Sequence, residues 1–282
     1  MRGQDERWRS EAKFFDRFAA EAATTLSPLP HVTLQRYAAG SPRRRFNKEF
    51  RFRLVQDLKG KQVLDLGCGD GTNSVLLAQR GASVIGVDLS QKSIALANER
   101  AKINQVEGQT SFYCSPIEVF ELPESCIDVI WGDGILHHVL PQLELVLAKM
   151  LFWAKPNALV IFSEPICLNQ TLRRLRRKVP IHTDATPNER PLNRWELDLI
   201  RRYLPELKVR HFQFLGFFDR FLLLQNNYES APAHRKSMSN FLHWIDYVLL
   251  STPGVRRLGS MVVLHGTVSK RRDPVLLATG TG

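Results

Sequence analysis

Long apolar runs, paired cysteines and acidic side chains are all scarce in this chain. It contains no stretch of about 18 consecutive apolar residues, which disfavours a membrane-spanning helix. The first residues also lack the apolar stretch of a secretion signal. Its cysteines are scattered without a C-x-x-C pair, so neither a zinc site nor a disulfide scaffold is indicated and a reducing cytoplasm is the expected location. These cysteines are Cys68, Cys114, Cys126 and Cys167.

The shortage of acidic residues leaves 28 of them against 39 lysines and arginines, a net charge of +11. The basic side chains concentrate at 43–45 and 173–178. Such an excess fits an anionic membrane surface, nucleic acid or an acidic substrate, and it equally fits a solvated basic face. No RNA-binding signature is visible, and no aromatic residues interleave with the basic runs as stacking on bases would require. Nucleic acid is therefore the disfavoured partner.

What the chain does contain is a strand–glycine loop–helix–strand pattern between residues 61 and 88. An apolar run at 61–66 predicts a strand buried on both faces. Gly67, Gly69 and Gly71 follow and allow a sharp turn with close approach of a ligand. A helix over 72–80 and a second strand over 84–87 lead to Asp88, at the sheet edge where α/β proteins bind ligands. A carboxylate there can accept both hydroxyls of a ribose.

The glycine spacing differs from the dinucleotide fingerprint. In G-x-G-x-x-G the third glycine stands one residue later than Gly71 does here. Asp65 and Asp70 lie beside or inside the loop, where they would repel a pyrophosphate. Carboxylates at this place instead suit the cationic amino acid end of S-adenosylmethionine (SAM). A tight turn in an unrelated α/β protein is the alternative reading.

Three stretches carry a resemblance to a known family: 63–71, 81–90 and 134–139. With these, residues 61–140 resemble the core of the class I SAM-dependent methyltransferases, in the small-molecule branch that includes ubiquinone and menaquinone biosynthesis enzymes. The resemblance implies a Rossmann-like α/β fold with a seven-stranded, mostly parallel sheet and helices on both faces. It also implies an N-terminal helical lid, an antiparallel last strand, and S-adenosylhomocysteine as the product, with no metal expected.

The resemblance implies a set of cofactor-binding residues. Family members commonly carry an aspartate after the third strand, near the adenine amino group, whereas this chain has Ser115, Pro116 and Ile117. Cys68 fills the tight turn, with a nucleophilic role as the less favoured reading. The full predicted set is Asp65, Gly67, Cys68, Gly69, Asp70, Asn73, Asp88, Leu89, Ser115, Pro116, Ile117 and Gly132.

Two adjacent histidines, His137 and His138, are the candidate catalytic residues. They are predicted to start a helix just past the fourth strand, near the methyl group of the cofactor. A histidine titrates near neutrality and can accept a proton from a phenol, an alcohol or an amine. The alternative is that one of them only orients the cofactor or caps the helix. The pair is common in the resembling family among enzymes of differing chemistry.

The segments around the core are predicted to form the acceptor site. With 282 residues, 44% of them hydrophobic, the chain can bury one large core. We expect a helical lid at 1–58, a methyltransferase core at 59–282, and substrate-capping insertions at about 169–205 and 217–258. The apolar second insertion also fits a dimer face or a membrane-surface contact. The candidate substrate residues are Phe14, Tyr37, Glu164, His182 and Arg190, each of which could equally be core or solvated.

The sequence therefore predicts transfer of a methyl group to an oxygen, nitrogen or carbon of a small, lipophilic acceptor. The sulfonium carbon is already activated, so the protein positions donor and acceptor and excludes water. An RNA methyltransferase, a NAD-dependent oxidoreductase and a non-catalytic SAM-binding protein remain as alternatives. The expected partners are a small-molecule acceptor, an anionic membrane surface and a second copy of the chain.

Overall fold

The computed structural model describes residues 2–38, 45–55, 57–177, 189–223 and 228–269 of the chain. These residues contain ten α-helices and seven strands. The helices are α1 (Arg2–Ala23), α2 (His31–Ala38), α3 (Asn47–Leu54), α4 (Thr72–Ala78), α5 (Gln91–Ile103), α6 (Leu143–Trp153), α7 (Gln170–Arg177), α8 (Arg194–Tyr203), α9 (Asp219–Leu222) and α10 (Ala233–Leu249). The strands are β1 (Gln62–Leu66), β2 (Ser83–Asp88), β3 (Thr110–Cys114), β4 (Ile127–Asp133), β5 (Ala154–Pro165), β6 (Lys208–Phe212) and β7 (Met261–Thr267).

The strands form one sheet in the order β3-β2-β1-β4-β5-β7-β6. The first five are parallel, and β7 runs antiparallel to both of its neighbours, β5 and β6. The predicted seven-stranded, mostly parallel, Rossmann-like sheet is thereby confirmed. Strand order reverses beside β1, so the carboxyl ends of β1, β2 and β4 meet at one edge, where ligands bind in open α/β sheets.

Helices cover both faces of the sheet because alternate residues of each strand point in opposite directions. On β4, Ile130 packs into one apolar layer with α6 and α8, whereas Trp131 packs into the other layer with α3 and α4. Both side chains are fully buried. Each large apolar side chain buried in this way contributes about 1.5–3 kcal/mol, so the two layers hold the sheet edge rigidly under the site.

The N-terminal helices pack on this framework at separate places. Helix α1 lies against α5, where Asp16 Oδ1 accepts hydrogen bonds from Ser90 Oγ at 2.6 Å and Lys92 N at 3.1 Å. Helix α3 inserts Phe52 between Tyr37 and Trp131, with ring centroids 4.7 and 4.9 Å apart. The segment 1–58, predicted to be helical, contains α1, α2 and α3. The division into a lid at 1–58 and a core at 59–282 stays a prediction.

Both predicted insertions contain helices. The first carries α7 and α8, and residues 178–188 between them lie outside the described part of the chain. Helix α8 begins with a capping box in which Asn193 and Glu196 each bond the other's backbone N–H. The second carries α9 and α10. Strand β6 ends at Phe212, because the next residue, Gln213, adopts a left-handed φ of 60°.

Among the described residues, no helix combines the length and the apolar character needed to cross a membrane.

Candidate active site

The glycine loop between β1 and α4 has the conformation that its sequence predicts. Gly67, Gly69 and Gly71 all have positive φ angles, of 67°, 52° and 77°. A Cβ on Gly67 would lie 2.7 Å from Ile135 Cδ1, and one on Gly71 would lie 2.8 Å from the Cβ of Ala97. Only glycine fits these two positions without displacing a neighbour, because both the backbone conformation and the space exclude a side chain.

Asp88 ends β2 beside this loop. Its Oδ2 accepts a hydrogen bond from Gly69 N at 2.9 Å, and its Oδ1 accepts one from Ser90 N at 2.8 Å. Burial raises the pKa of Asp88, and the backbone N–H groups of Ser90 and Gly69 oppose that rise. The carboxylate is thus fixed in orientation on the wall of a cavity and keeps further lone pairs for a ligand.

That cavity, of about 230 Å³, opens at the carboxyl edge of the sheet. Seven of the predicted cofactor residues line it: Gly67, Gly69, Asp88, Leu89, Ser115, Pro116 and Ile117. Helix α1 contributes Trp8, Glu11 and Phe15, and the far wall consists of residues around 133–139. The sequence interpretation named Phe14 for this purpose. Phe14 lines neither this cavity nor the next and instead packs edge-on against Phe15 and tilted against Phe18.

Three other predicted cofactor residues do not line the cavity and lie in or beside the glycine loop. Asp65 accepts a hydrogen bond from Ser74 Oγ at 2.6 Å, and burial raises its pKa to about 7. Asp70 caps the N–H of Thr72 and pairs with Arg100 at 2.7 Å. Cys68 is buried, and burial raises the pKa of its thiol well above the usual value. A protonated, buried thiol is a poor nucleophile, which agrees with the reading of Cys68 as a filler of the turn.

The remaining two predicted cofactor residues lie beside β4. Asn73 donates a hydrogen bond from Nδ2 to Asp133 Oδ2 at 3.1 Å. Gly132 lies where an added Cβ would collide with the Phe162 ring and come within 2.8 Å of Ile135 Cγ2. Neither Asn73 nor Gly132 is on the lining of the 230 Å³ cavity. Asn73 instead contacts Asp133, which is on it, and Gly132 precedes Asp133 in the chain.

A cationic pair on α3 escaped the sequence interpretation. The Arg51 side chain, 2% exposed, bonds Asp133 Oδ2 at 2.8 Å and lies over the Trp131 ring at 4.9 Å. One turn earlier, burial lowers the pKa of the Lys48 ammonium, an effect that the charge of Asp133 opposes. The spacing of three residues between Lys48 and Arg51 puts both on one helix face, which is the signal that could have identified them.

The two histidines lie in a turn after β4 and not at the start of a helix, so that prediction was wrong. The cause is Glu164 on the neighbouring strand β5, which is fully buried. Its carboxylate accepts hydrogen bonds from the N–H groups of Ile135, Leu136 and His137 at 2.9, 2.8 and 3.3 Å, and it lies 2.8 Å from His137 Nδ1. These contacts occupy the carboxylate that the sequence interpretation assigned to the substrate.

The two imidazoles lie 4.2 Å apart and are driven to opposite protonation states. Burial would lower the pKa of His137, but hydrogen bonds to Glu164 and Glu189 outweigh it and raise the pKa to about 9. Burial and the nearby charge of His137 lower the pKa of His138 to about 4. At neutral pH, His137 is therefore a cation that cannot accept a proton, whereas His138 is neutral.

A second cavity, of about 340 Å³, adjoins the first on the other side of His138. Glu11 lines both cavities. Burial raises the pKa of Glu11 to about 7, opposed by the charge of Arg7 and aided by that of Glu118. The other walls of the second cavity are Arg7, His137, Leu140, Pro141, Glu189 and Arg190. Its lining combines the apolar side chains of Leu140 and Pro141 with groups that can accept or hold a proton near neutrality.

One grouping in the second cavity has the spacing of a metal site. His137, His138 and Glu189 bring three ligand atoms within 4.8 Å of one another. Imidazole and carboxylate ligands of this kind suit a divalent transition metal. Both His137 and Glu189 also take part in the contacts that fix the turn, and the expectation of no metal stays a prediction.

The remaining predicted substrate residues separate in the structure. Arg190 lines the second cavity and pairs with Glu196. Tyr37 is 5% exposed, packs against Phe52 and bonds Glu49 through its hydroxyl at 3.3 Å, so it belongs to the core. His182 lies outside the described residues.

Comparison with known proteins matches the part of the chain that contains the glycine loop. Residues 57–195, just under half of it, match a family described as "Methyltransferase domain". A ubiquinone biosynthesis O-methyltransferase of Coxiella burnetii is 36% identical over 106 residues, which is 38% of this chain and 44% of that protein. The Pseudomonas fluorescens protein of the same name is 36% identical over 111 residues, covering 38% and 45%. The chain therefore spans less than half the length of these curated relatives.

Solved structures extend the likeness to about three quarters of the chain. A Haemonchus contortus phosphoethanolamine N-methyltransferase 2, determined with S-adenosyl-L-methionine, matches with a TM-score of 0.51 at 14% identity, covering 76% of this chain and 49% of that one. A putative S-adenosylmethionine-dependent methyltransferase of Listeria monocytogenes matches with a TM-score of 0.50 at 16% identity, covering 78% and 97%. These likenesses bear on the fold alone. Residues 57–195 are thus similar to a methyltransferase domain, and the glycine loop and the sheet order agree with that likeness.

Proposed function

We propose that this protein transfers the methyl group of SAM to a hydroxyl of a small, partly apolar acceptor. The observation that carries the proposal is the fixed Asp88 carboxylate on the wall of the first cavity, next to a glycine loop whose backbone a ligand can approach. A carboxylate at the end of β2 can accept both hydroxyls of a ribose, and each such charge-assisted bond is strong.

The walls of the first cavity divide into regions of different chemistry that match the parts of SAM. Asp88 would hold the ribose. Leu89, Pro116 and Ile117 offer apolar surface for the adenine, with Ser115 as a polar neighbour. Toward β4, Asp133 would face the amino group, and the Lys48–Arg51 pair beside it would hold the carboxylate of the methionine end.

The acceptor would occupy the second cavity, because it adjoins the first across His138 and Glu11. The bound cofactor supplies an activated methyl group, so the chain's own residues mainly orient the acceptor and exclude water. Helix α1 closes over the junction with Trp8, Glu11 and Phe15. His137 is protonated at neutral pH and acts as a fixed positive charge. Glu11, which titrates near neutrality, is the best-placed group to accept the hydroxyl proton.

The cofactor part of this proposal is tested by calorimetric titration of the full chain with SAM, S-adenosylhomocysteine and NAD. We expect the two sulfur ligands to bind and NAD to give no heat. Asp88→Asn removes the charge that receives the ribose hydroxyls, and we expect about 100-fold weaker binding of S-adenosylhomocysteine. Asp198→Asn, at an exposed site on α8, is the matched control. Binding of NAD, or an unchanged affinity in Asp88→Asn, would overturn the assignment of the cavity.

A further inference from the structure

Helix α10 presents its polar residues to the protein and its apolar residues to solvent. Ser239, His243 and Asp246 are 0%, 4% and 2% exposed. On the opposite side, large apolar side chains are about half exposed: Met238 48%, Phe241 55%, Trp244 54%, Val248 52% and Leu249 38%. A helix on the surface of a globular protein normally shows the reverse arrangement.

Specific contacts hold the polar face inward. His243 Nε2 lies 2.6 Å from Asp219 Oδ2, and the His243 ring packs edge-on against Phe46 at 3.9 Å. Asp246 accepts hydrogen bonds from the N–H groups of Phe214, Leu215 and Gly216 at 2.8–2.9 Å. A rotation of α10 that buried its apolar side would leave these buried polar groups without partners, at a cost of several kcal/mol. The outward apolar face is therefore fixed by the fold.

Helix α9 and the turn before it, which contact α10, expose two further aromatic side chains. Phe218 and Phe221 are 50% and 57% exposed, with ring centroids 6.3 Å apart. We call these two residues and the five exposed apolar residues of α10 the outer face. Four of its seven side chains are aromatic. So many large apolar side chains exposed on two contacting elements of a folded protein mark a place where something else binds.

The charges next to the outer face are positive. Within residues 216–223 and 228–258, the acidic side chains are all engaged: Asp219 with His243, Glu229 with Arg36, and Asp246 with three backbone N–H groups. The cations of the same ranges have no carboxylate partner there: Arg220, Arg235, Lys236, Arg256 and Arg257. Arg220 lies between Phe218 and Phe221 in the chain, and the exposed pair Arg256 and Arg257 follows the end of α10.

We propose that the outer face rests on an anionic lipid surface. The aromatic and aliphatic side chains would enter the boundary between headgroups and acyl chains, and the neighbouring cations would contact lipid phosphates. A second copy fits this surface less well, because an interface between two identical faces brings the same patch together and would set cations against cations. The inference depends on α9, α10 and their charges and not on methyl transfer.

The test is co-sedimentation of the full chain, without cofactor, with vesicles of phosphatidylcholine alone or mixed with an equal part of phosphatidylglycerol. We expect binding to the mixed vesicles that weakens as salt is added, since salt screens the cations from the lipid phosphates. Phe241→Ser combined with Trp244→Ser should weaken this binding by about tenfold or more. Arg256→Gln combined with Arg257→Gln should weaken it by about fivefold for each cation and reduce the preference for phosphatidylglycerol.

A matched control exists on the other side of the sheet. Phe152 on α6 and Trp195 on α8 are 45% and 62% exposed, and their helices pack in the opposite apolar layer. Phe152→Ser combined with Trp195→Ser removes the same two residue types and should leave vesicle binding unchanged. Equal losses in both double variants, or full binding by the outer-face variant, would overturn the proposal.

Two further readouts start from the wild-type chain. In the wild-type chain, brominated lipids in the mixed vesicles should quench part of the tryptophan fluorescence, and Trp244→Phe should remove that part. Light scattering tests the alternative, in which a second copy of the chain covers the outer face. A wild-type dimer that the outer-face double substitution converts to a monomer, without vesicle binding by either, would assign the outer face to a second copy and refute the lipid proposal.

Discussion

At the scale of single residues, one buried carboxylate decides what the two imidazoles can do. Glu164 holds the turn that carries them and raises the proton affinity of His137, which in turn lowers that of His138. The sequence interpretation treated the two histidines as equivalent, because identical adjacent side chains give no sign of their different environments. Carboxylates from distant parts of the chain, Glu164 and Glu189, distinguish them.

The raised pKa of His137 makes protein stability depend on pH. The folded-state pKa of about 9 lies above the ordinary value of 6.5, so the stabilising contribution is complete below pH 6.5 and is lost as pH rises through 9. We expect His137→Gln to remove a contribution on the order of 2 kcal/mol and to flatten the profile over this window. Urea unfolding across the same pH range measures the free energy of unfolding of both proteins. His234→Gln, at an exposed site, is the control, and parallel profiles for wild type and His137→Gln would contradict the assignment.

Glu11 makes a separate kinetic prediction that rests on the proposed function. A carboxyl with a pKa of about 7 is an effective base only once it has ionised, so kcat should rise with pH through 7 and then level off. Glu11→Gln should lower kcat by about 100-fold or more and remove that limb of the profile. Glu21→Gln, exposed on the same helix, provides the comparison. A wild-type profile without the limb, or an unaffected kcat, would exclude Glu11 as the proton acceptor.

At the scale of elements, the parallel half of the sheet was predictable and the segments around it were not. The strands around the glycine loop have short apolar runs with clear boundaries, since they are buried on both faces. The apolar period of α1 identified a helix, but it did not reveal that Phe15 and not Phe14 faces the cavity. In α10 the same kind of pattern left the direction of the apolar side undetermined, because hydrophobic spacing alone does not say which side packs inward.

Helix α1 should act as a hinged cover whose closure depends on its contact with the start of α5. Asp16 is the acceptor that joins the two helices at Ser90 and Lys92. Removing it in Asp16→Ala should cost about 1 kcal/mol of docking, which corresponds to roughly fivefold faster hydrogen exchange along α1. Exchange measured with and without S-adenosylhomocysteine tests this. Glu21→Ala should exchange like the wild type, and equal rates for Asp16→Ala would show that α1 is held by other contacts.

At the scale of the whole molecule, both apolar layers share one sheet, and the first cavity lies where that sheet meets α1. A ligand bound there contacts β1, β2, β4 and α1 together and can bind only the folded chain. By mass action, S-adenosylhomocysteine at about 100 times its Kd should stabilise the protein by roughly 2.7 kcal/mol, which raises Tm by about 5–10 °C. Thermal unfolding with increasing ligand measures the shift, and Asp88→Asn should shift less at the same concentrations. A Tm independent of ligand would contradict cofactor binding at this site.

The attachment of the histidine turn to Glu164 has a consequence for how such a protein can diverge. The carboxylate receives the backbone N–H groups of Ile135 and Leu136, which every residue except proline possesses. These two backbone contacts therefore hold the turn whichever side chain stands at position 138. New acceptor preferences can arise by substitution at this position while the polypeptide trace stays the same. Laboratory evolution aimed at other acceptors would do well to randomise residue 138, which lines both cavities, and leave residue 164 untouched.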